Sequence, residues 1–210
     1  MRALSQTQIK RLTAIHGWSA VVLGLGLGAA AVVRALSEER TTPSGQEAAS
    51  EALLVGFMDD ASFRWHPERA RLLDRARQTG ARLVRAIVLW HQLAPERPAP
   101  GAPPWVEPRL HELDELIANA EARGLEVMFT IWGTPPWANG GGKPNRAPTD
   151  LGALRRFARA LASRYPSVAR YSVWNEPDIE LFLAPQFDPA GGSASPRTYA
   201  QPYRAAHAGI

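Results

Sequence analysis

Cysteine is absent from the 210 residues of this chain, which excludes disulfides, thiolate catalysis and cysteine-based metal sites. The acidic residues and the five histidines show no metal-ligand spacing such as HExxH, so no metal site is expected. Neither of two glycine-rich phosphate signatures, GxGxxG or GxxxxGK followed by Ser or Thr, comes after a predicted strand. No cofactor is therefore expected.

Lysine is almost as scarce, since only Lys10 and Lys143 occur, and the formal net charge of +4 comes from arginine. The arginines alternate with glutamate and aspartate on predicted helix faces, as in PERARLLDRARQ at 67–78. A basic patch on a nucleic-acid-binding protein would be concentrated in one place, whereas mixed charges are typical of a solvated surface. Nucleic acid is therefore not an expected partner.

An uncharged run lies near the amino terminus, at 18–33, and follows Arg2, Lys10 and Arg11. Its sixteen residues are between the length of a signal-peptide core and the ~20 residues of a full membrane span. No convincing small-x-small cleavage site follows, which favours an uncleaved anchor over a cleaved peptide. Residues 1–35 are predicted to be a signal anchor or signal peptide.

A buried core helix is the alternative for this run, but its glycines at 24, 26 and 28 would weaken a soluble helix. With the basic residues on the amino side, the rest of the chain is expected to be exported. It would be anchored to the membrane and face outward, or be secreted. Residues 36–51 are polar and are predicted to be a linker.

From residue 52 onward, a short apolar segment is followed by an amphipathic helix four times. The strands are predicted at 53–60, 81–90, 125–132 and 169–177, and the helices at 66–80, 108–124, from 150 and from 195. Nearly continuous apolar strands predict a parallel sheet covered by helices, with the long loops following the strands. This α/β pattern predicts a (β/α)8 TIM barrel, of which residues 52–210 supply the first four βα units. A doubly wound open sheet is the structural alternative, although it would normally carry a glycine-rich turn.

One carboxylic acid is expected at the tip of the fourth strand, in YSVWNEPD at 171–178. Pro177 cannot stay in a sheet interior, so the strand should end here with Glu176 in an extended conformation. The carboxyl ends of parallel strands are where α/β enzymes place their catalytic residues. The alternative is an acid that stabilises a helix amino terminus.

Three segments resemble the retaining glycoside hydrolases of clan A, a (β/α)8 group that includes family 5 cellulases and family 39 xylosidases. They are LVRAIVLWHQLAPE at 83–96, FTIWGTPPWANG at 129–140 and YSVWNEPD at 171–178. The resemblance covers the amino-terminal half of the family's barrel. It implies an enzyme that hydrolyses β-linked oligo- or polysaccharides with retention, and a carbohydrate as substrate.

The resemblance also implies roles for individual residues. Glu176 would be the general acid/base, and Asn175 would hydrogen-bond the 2-hydroxyl of the sugar being cleaved. Arg85 would lie in the barrel mouth beside the nucleophile and help to keep the nucleophile ionised. Retention requires that second carboxylate ~5–5.5 Å away, and in this family it ends the seventh strand.

With four strands predicted, the chain is expected to be the amino-terminal part of a longer enzyme or to complete its barrel with a partner chain. The alternative function is a non-catalytic carbohydrate-binding or scaffold half-barrel. Arg85 lies within an apolar strand, where an unpaired charge is costly, so a carboxylate partner is expected.

Five further residues are candidates for substrate binding. Trp132 and Trp137 could stack on sugar rings, although large aromatic residues often only pack. Trp90 and His91 end the second predicted strand and could contact sugar, or could be a core tryptophan and a satisfied histidine. Asp59 closes the first predicted strand and could contact substrate or cap a loop.

Overall fold

The computed structural model of this protein describes residues 53–210, in which parallel strands alternate with helices. The elements are β1 (Gly56–Met58), α1 (Arg69–Gln78), β2 (Leu83–Leu89), α2 (Trp90–Leu93), α3 (His111–Glu121), β3 (Glu126–Trp132), α4 (Leu151–Arg164), β4 (Arg170–Val173) and α5 (Ser195–His207). The predicted signal segment (1–35) and linker (36–51) lie outside the described residues. Of the helices between residues 53 and 210, none has the length and apolar character needed to cross a membrane.

The four strands form one parallel sheet in the order β1-β2-β3-β4. The predicted parallel sheet with alternating helices is therefore confirmed. A doubly wound sheet reverses its strand order at a switch point, and these four strands show no reversal. Strands that follow one another in chain order without reversal are the arrangement found in a (β/α)8 barrel.

The two faces of the sheet differ in burial because side chains alternate along each strand. One face packs against the helices and is closed by Val84, Ala86 and Val88 of β2 and by Val127, Phe129 and Ile131 of β3. The apolar stripes of α3 and α4 complete this core with Leu113, Leu116, Leu154, Phe157 and Leu161. Each buried valine, leucine, isoleucine or phenylalanine among them contributes roughly 1.5–3 kcal/mol. The opposite face of β2, which carries Arg85, remains half-exposed.

The ends of three strands differ from the prediction. β1 is only three residues long because Asp59 leaves the ladder, and its carboxylate accepts hydrogen bonds from the backbone N–H and hydroxyl of Ser62. β2 ends at Leu89, so Trp90 and His91 begin α2 instead of ending the strand. β4 ends at Val173, three residues before Glu176.

The amino terminus of α4 is capped by Asp150. The side chain of Asp150 accepts a hydrogen bond of 2.9 Å from the backbone N–H of Ala153. Its other oxygen accepts a 2.9 Å hydrogen bond from Nη1 of Arg97. The cap hydrogen bond, followed by the bond from Arg97, lowers the pKa of Asp150 below its usual range.

Replacing Asp150 with alanine should lower the free energy of unfolding by about 1 kcal/mol at neutral pH, because the α4 cap is lost. Asp150→Asn is the matched control, since asparagine keeps a cap acceptor for Ala153 while it loses the charge and the oxygen that accepts from Arg97. Because the pKa of Asp150 is lower in the folded state, its contribution is present above the ordinary aspartate pKa. The difference between wild type and Asp150→Ala should therefore shrink as the pH falls below about 4. Urea unfolding of the three proteins at several pH values measures this, and a difference that grows on acidification would contradict it.

Candidate active site

The carboxyl edge of the sheet brings together three polar side chains from neighbouring strands. Nε of Arg85 in β2 donates a 2.6 Å hydrogen bond to Oγ1 of Thr130 in β3. Its Nη2 donates a 2.7 Å hydrogen bond to Oδ1 of Asn175, just after β4. Thr130 is fully buried and Asn175 is 6% exposed. We call these three residues the Arg85 network.

The carboxylate partner expected for Arg85 is not found: within residues 53–210, no carboxylate oxygen lies within 4.0 Å of its guanidinium, which is bound by two neutral oxygens instead. Among these residues, Arg85 lies on the face of the sheet that the helices leave uncovered. There it is only half-buried, so water can offset part of the cost of its charge.

The network orients the amide of Asn175. Since Oδ1 accepts from Arg85, the amide nitrogen Nδ2 must point the other way, and it donates to no group in the described part of the chain. Asn175 therefore presents a hydrogen-bond donor, rather than an acceptor, at the edge of the sheet.

The chain turns sharply directly after β4. Trp174 and Glu176 both have left-handed backbone conformations, with φ of 72° and 36°. The extended conformation expected for Glu176 is therefore wrong. Left-handed backbone costs non-glycine residues roughly 1–3 kcal/mol each and persists only where surrounding contacts enforce it.

Those contacts are hydrogen bonds around Trp174, whose side chain is 2% exposed. Its backbone N–H donates to the carbonyl of Ile131 at 2.7 Å, and its indole Nε1 donates to the carbonyl of Phe182 at 2.7 Å. Nε1 of Trp132, at the end of β3, donates to the same Phe182 carbonyl at 3.1 Å. The loop after β4 is thus fixed to two strand ends, which outweighs the local preference of a residue before proline.

The side chain of Glu176 is exposed and makes no hydrogen bond or ion pair with any group between residues 53 and 210. Only its backbone carbonyl is used, since it accepts a 3.0 Å hydrogen bond from the N–H of Ile179. The turn therefore leaves an exposed carboxyl group, on the residue that follows Asn175, without a partner in the described part of the chain.

His91 and Trp132 lie together at the ends of β2 and β3. Their rings meet edge to face with centroids 5.8 Å apart, and the backbone N–H of His91 donates to the carbonyl of Gly133 at 2.9 Å. Nδ1 of His91 is buried and has no hydrogen-bond partner in the described residues. Burial lowers the pKa of His91, while the Gly133 carbonyl acts in the opposite direction. The imidazole is therefore neutral at neutral pH.

The structure does not bring the other three candidates to the Arg85 network. Trp90 is 1% exposed and packs on the helix side of the sheet against Phe157, with ring centroids 5.6 Å apart. Nε1 of Trp137 donates to the carbonyl of Ala94 at 2.8 Å. Asp59 caps its loop through Ser62, whose hydrogen bonds lower the pKa of Asp59. Sugar contacts for these three residues remain predictions.

Thr130 and Trp174 are two site residues that the sequence analysis missed. A signal for Thr130 is present, because it is the only hydroxyl within the apolar strand EVMFTIW, and strand alternation puts it on the same face as Arg85. The role of Trp174 depends on the carbonyl of Phe182, eight residues further along the chain, and no local pattern indicates that contact.

Replacing Gly133 with alanine should displace His91, because the new Cβ would collide with Nδ1 of the imidazole. The exposed ring would then titrate at a higher pKa, closer to the ordinary value of 6.5. Gly101→Ala is the matched control, since its φ of +80° is close to the +83° of Gly133 and it has no atom within 4 Å. NMR titration of His91 in both variants measures this. Identical His91 titration curves in the two variants would contradict the proposed packing.

Neither a protein-family model nor a curated protein matches this sequence. Solved structures do match. A β-glucosidase from Thermotoga maritima shares 17% identity over 70% of this chain and 34% of its own length, with a TM-score of 0.51. A family 39 glycoside hydrolase from Bacteroides cellulosilyticus shares 18% identity over 72% of this chain and 28% of its own length, with a TM-score of 0.45. A GH5_18 protein from Bifidobacterium longum shares 16% identity over 67% of this chain and 35% of its own length, with a TM-score of 0.47.

The Thermotoga comparison carries the argument on fold, and at this level of identity it concerns the fold alone. This chain spans about a third of the length of these solved structures. Its four parallel strands with alternating helices correspond to part of the barrel of the Thermotoga β-glucosidase. The structural neighbours of this chain are thus clan A glycoside hydrolases, and residues 53–210 have the fold of part of a TIM barrel.

Proposed function

We propose that this chain contributes the acid/base half of a retaining glycosidase site that cleaves β-linked glycosides. The observation that carries the proposal is the pairing of an unbonded Glu176 carboxyl group with an amide donor fixed by Arg85. Both lie at the carboxyl edge of a parallel sheet, where (β/α)8 enzymes hold their catalytic groups.

In the proposed reaction, Glu176 first donates its proton to the glycosidic oxygen as the bond to the anomeric carbon breaks. A carboxylate nucleophile forms a covalent bond to that carbon from the opposite face of the sugar. Glu176, now ionised, takes a proton from water, whose oxygen attacks the anomeric carbon and releases the nucleophile. The same group therefore serves as acid and then as base.

Asn175 has a supporting role in this scheme. Because Arg85 holds Oδ1, Nδ2 is the group that can donate a hydrogen bond to the 2-hydroxyl of the bound sugar. Such a bond strengthens in the transition state and supplies part of the catalysis. Arg85 itself would keep a nearby nucleophile ionised, because a positive charge favours the charged form of a carboxyl group.

Retention needs the nucleophile ~5–5.5 Å from Glu176, and we assign that role to a carboxylate outside residues 53–210. It would come from the same protein or from a partner chain. The second candidate function is carbohydrate binding without hydrolysis. It is favoured by one observation: in the described residues, Arg85 is bound by neutral oxygens and not by a carboxylate.

The sequence of residues 1–35 supports a further proposal, that the protein is exported and either tethered facing outward or secreted. Fusing residues 1–51 to a reporter enzyme that is active only outside the cytoplasm would test export. Reporter activity is expected, and it should be lost when the run at 18–33 is interrupted by two arginines. Activity that survives the interruption would contradict the proposal.

Glu176→Gln in the full-length protein tests the acid/base assignment. It should lower kcat/KM about 10²–10⁴-fold on β-glycosides with poor leaving groups. The loss in kcat/KM should be much smaller on dinitrophenyl glycosides, because kcat/KM reports the first step and their phenolate departs without protonation. Glu180→Gln is the matched control, since Glu180 is an exposed acid of the same loop and its side chain makes no hydrogen bond within residues 53–210.

The outcomes separate the two candidate functions. If Glu176→Gln retains the wild-type rate on every substrate, Glu176 is not the acid/base. If the wild-type protein binds β-linked oligosaccharides but hydrolyses none, the carbohydrate-binding function replaces the glycosidase. Equal losses in Glu176→Gln and Glu180→Gln would indicate a general effect of charge in the loop and would also overturn the assignment.

A further inference from the structure

A pocket of about 570 Å³ lies beneath the loop at 97–104, against the outer side of α4. It shares no residue with the Arg85 network. Its volume falls within the range of about 300–1,000 Å³ that is usual for small-molecule sites. Its walls are mostly proline, alanine and tryptophan: Trp90, Pro98, Ala99, Pro100, Ala102, Pro104, Trp137, Ala153 and Ala160.

The pocket exists because the loop is held away from α4 at both ends. At one end, Arg97 donates hydrogen bonds to Asp150 at 2.9 Å and to the carbonyl of Trp137 at 3.0 Å. At the other end, Trp105 packs against Phe157 with ring centroids 6.1 Å apart. Between these anchors α4 presents Ala153 and Ala160, whose short side chains cannot fill the space, together with Arg156.

The charges around the pocket do not balance. The guanidinium of Arg97 stacks 4.8 Å from the ring of Trp137 and is paired with Asp150. Arg156 also lines the pocket, is exposed, and makes no hydrogen bond or ion pair of its own among residues 53–210. Two guanidiniums and one carboxylate therefore leave one positive charge at the rim.

The lining also limits what can bind. Apart from the two arginines, its only polar side-chain atoms are indole nitrogens, and Nε1 of Trp137 already donates to Ala94. A sugar would leave most of its hydroxyls without partners, at a cost of about 1–3 kcal/mol for each buried group. A ligand with an apolar ring and a single anionic group fits both the walls and the free cation.

We propose that this pocket binds small aromatic carboxylates, with the ring between the proline-rich loop and α4 and the carboxylate on Arg156. A carboxylate matches the planar guanidinium and can accept two hydrogen bonds from it. The site is separate from the glycosidase site, and the inference does not depend on the proposed function.

Isothermal titration of the full-length protein with cinnamate tests the proposal, with cinnamyl alcohol as the uncharged analogue. Saturable binding of cinnamate is expected, and the alcohol should bind at least tenfold more weakly. Arg156→Gln should weaken cinnamate binding about tenfold, whereas Arg159→Gln, an exposed arginine of the same helix that does not line the pocket, should not change it. Ala160→Leu should also weaken binding, because the added side chain fills the pocket.

Three results would overturn the proposal. They are an absence of saturable cinnamate binding to the wild-type protein, equal affinity for cinnamate and its alcohol, and equal loss in Arg156→Gln and Arg159→Gln. Tighter binding of a β-linked disaccharide than of cinnamate, abolished by Ala160→Leu, would assign the pocket to sugar instead. Unfolding curves of each variant confirm that the protein tested is folded.

Discussion

The parallel register of the sheet is the constraint on which the rest of this structure depends. Leu89 is paired with Trp132, and Ile131 with Val173, so β2, β3 and β4 end at the same edge. Hydrophobic packing enforces that register, because a slip of one residue would turn the buried face of each strand toward solvent. The apolar stripes of α3 and α4 cover one face, and the other face is left for polar groups. Polar side chains from β2, from β3 and from the turn after β4 can therefore meet at this edge.

Backbone strain and hydrogen bonding are balanced at the turn after β4. Two left-handed residues, Trp174 and Glu176, are unfavourable on their own. The bonds from Trp174 to Ile131 and Phe182, and from Arg85 to Asn175, hold the turn in place. As a result, the exposed Glu176 follows directly after Asn175, whose buried amide is held in one orientation. Such a fixed geometry is what a site needs if it is to bind a transition state without first reorganising.

The sequence was sufficient to predict the alternation of strands and helices and the parallel sheet, since both depend on apolar spacing. It did not predict where β4 ends, because the rule for residues before proline is local and the contact with Phe182 is not. The partner of Arg85 was missed for a related reason. A strand pattern shows that a charge lies between apolar neighbours, but it does not show which face the helices cover.

The central claim is that Asn175 and Glu176 form one sugar-binding edge, fixed by Arg85. A crystal structure of the full-length protein with a non-hydrolysable, sulfur-linked β-disaccharide tests it most directly. The account predicts a sugar whose 2-hydroxyl accepts a hydrogen bond from Nδ2 of Asn175, with its interglycosidic sulfur beside the Glu176 carboxyl group. A disaccharide bound elsewhere, or an Asn175 amide that turns its oxygen toward the sugar and releases Arg85, would contradict the account.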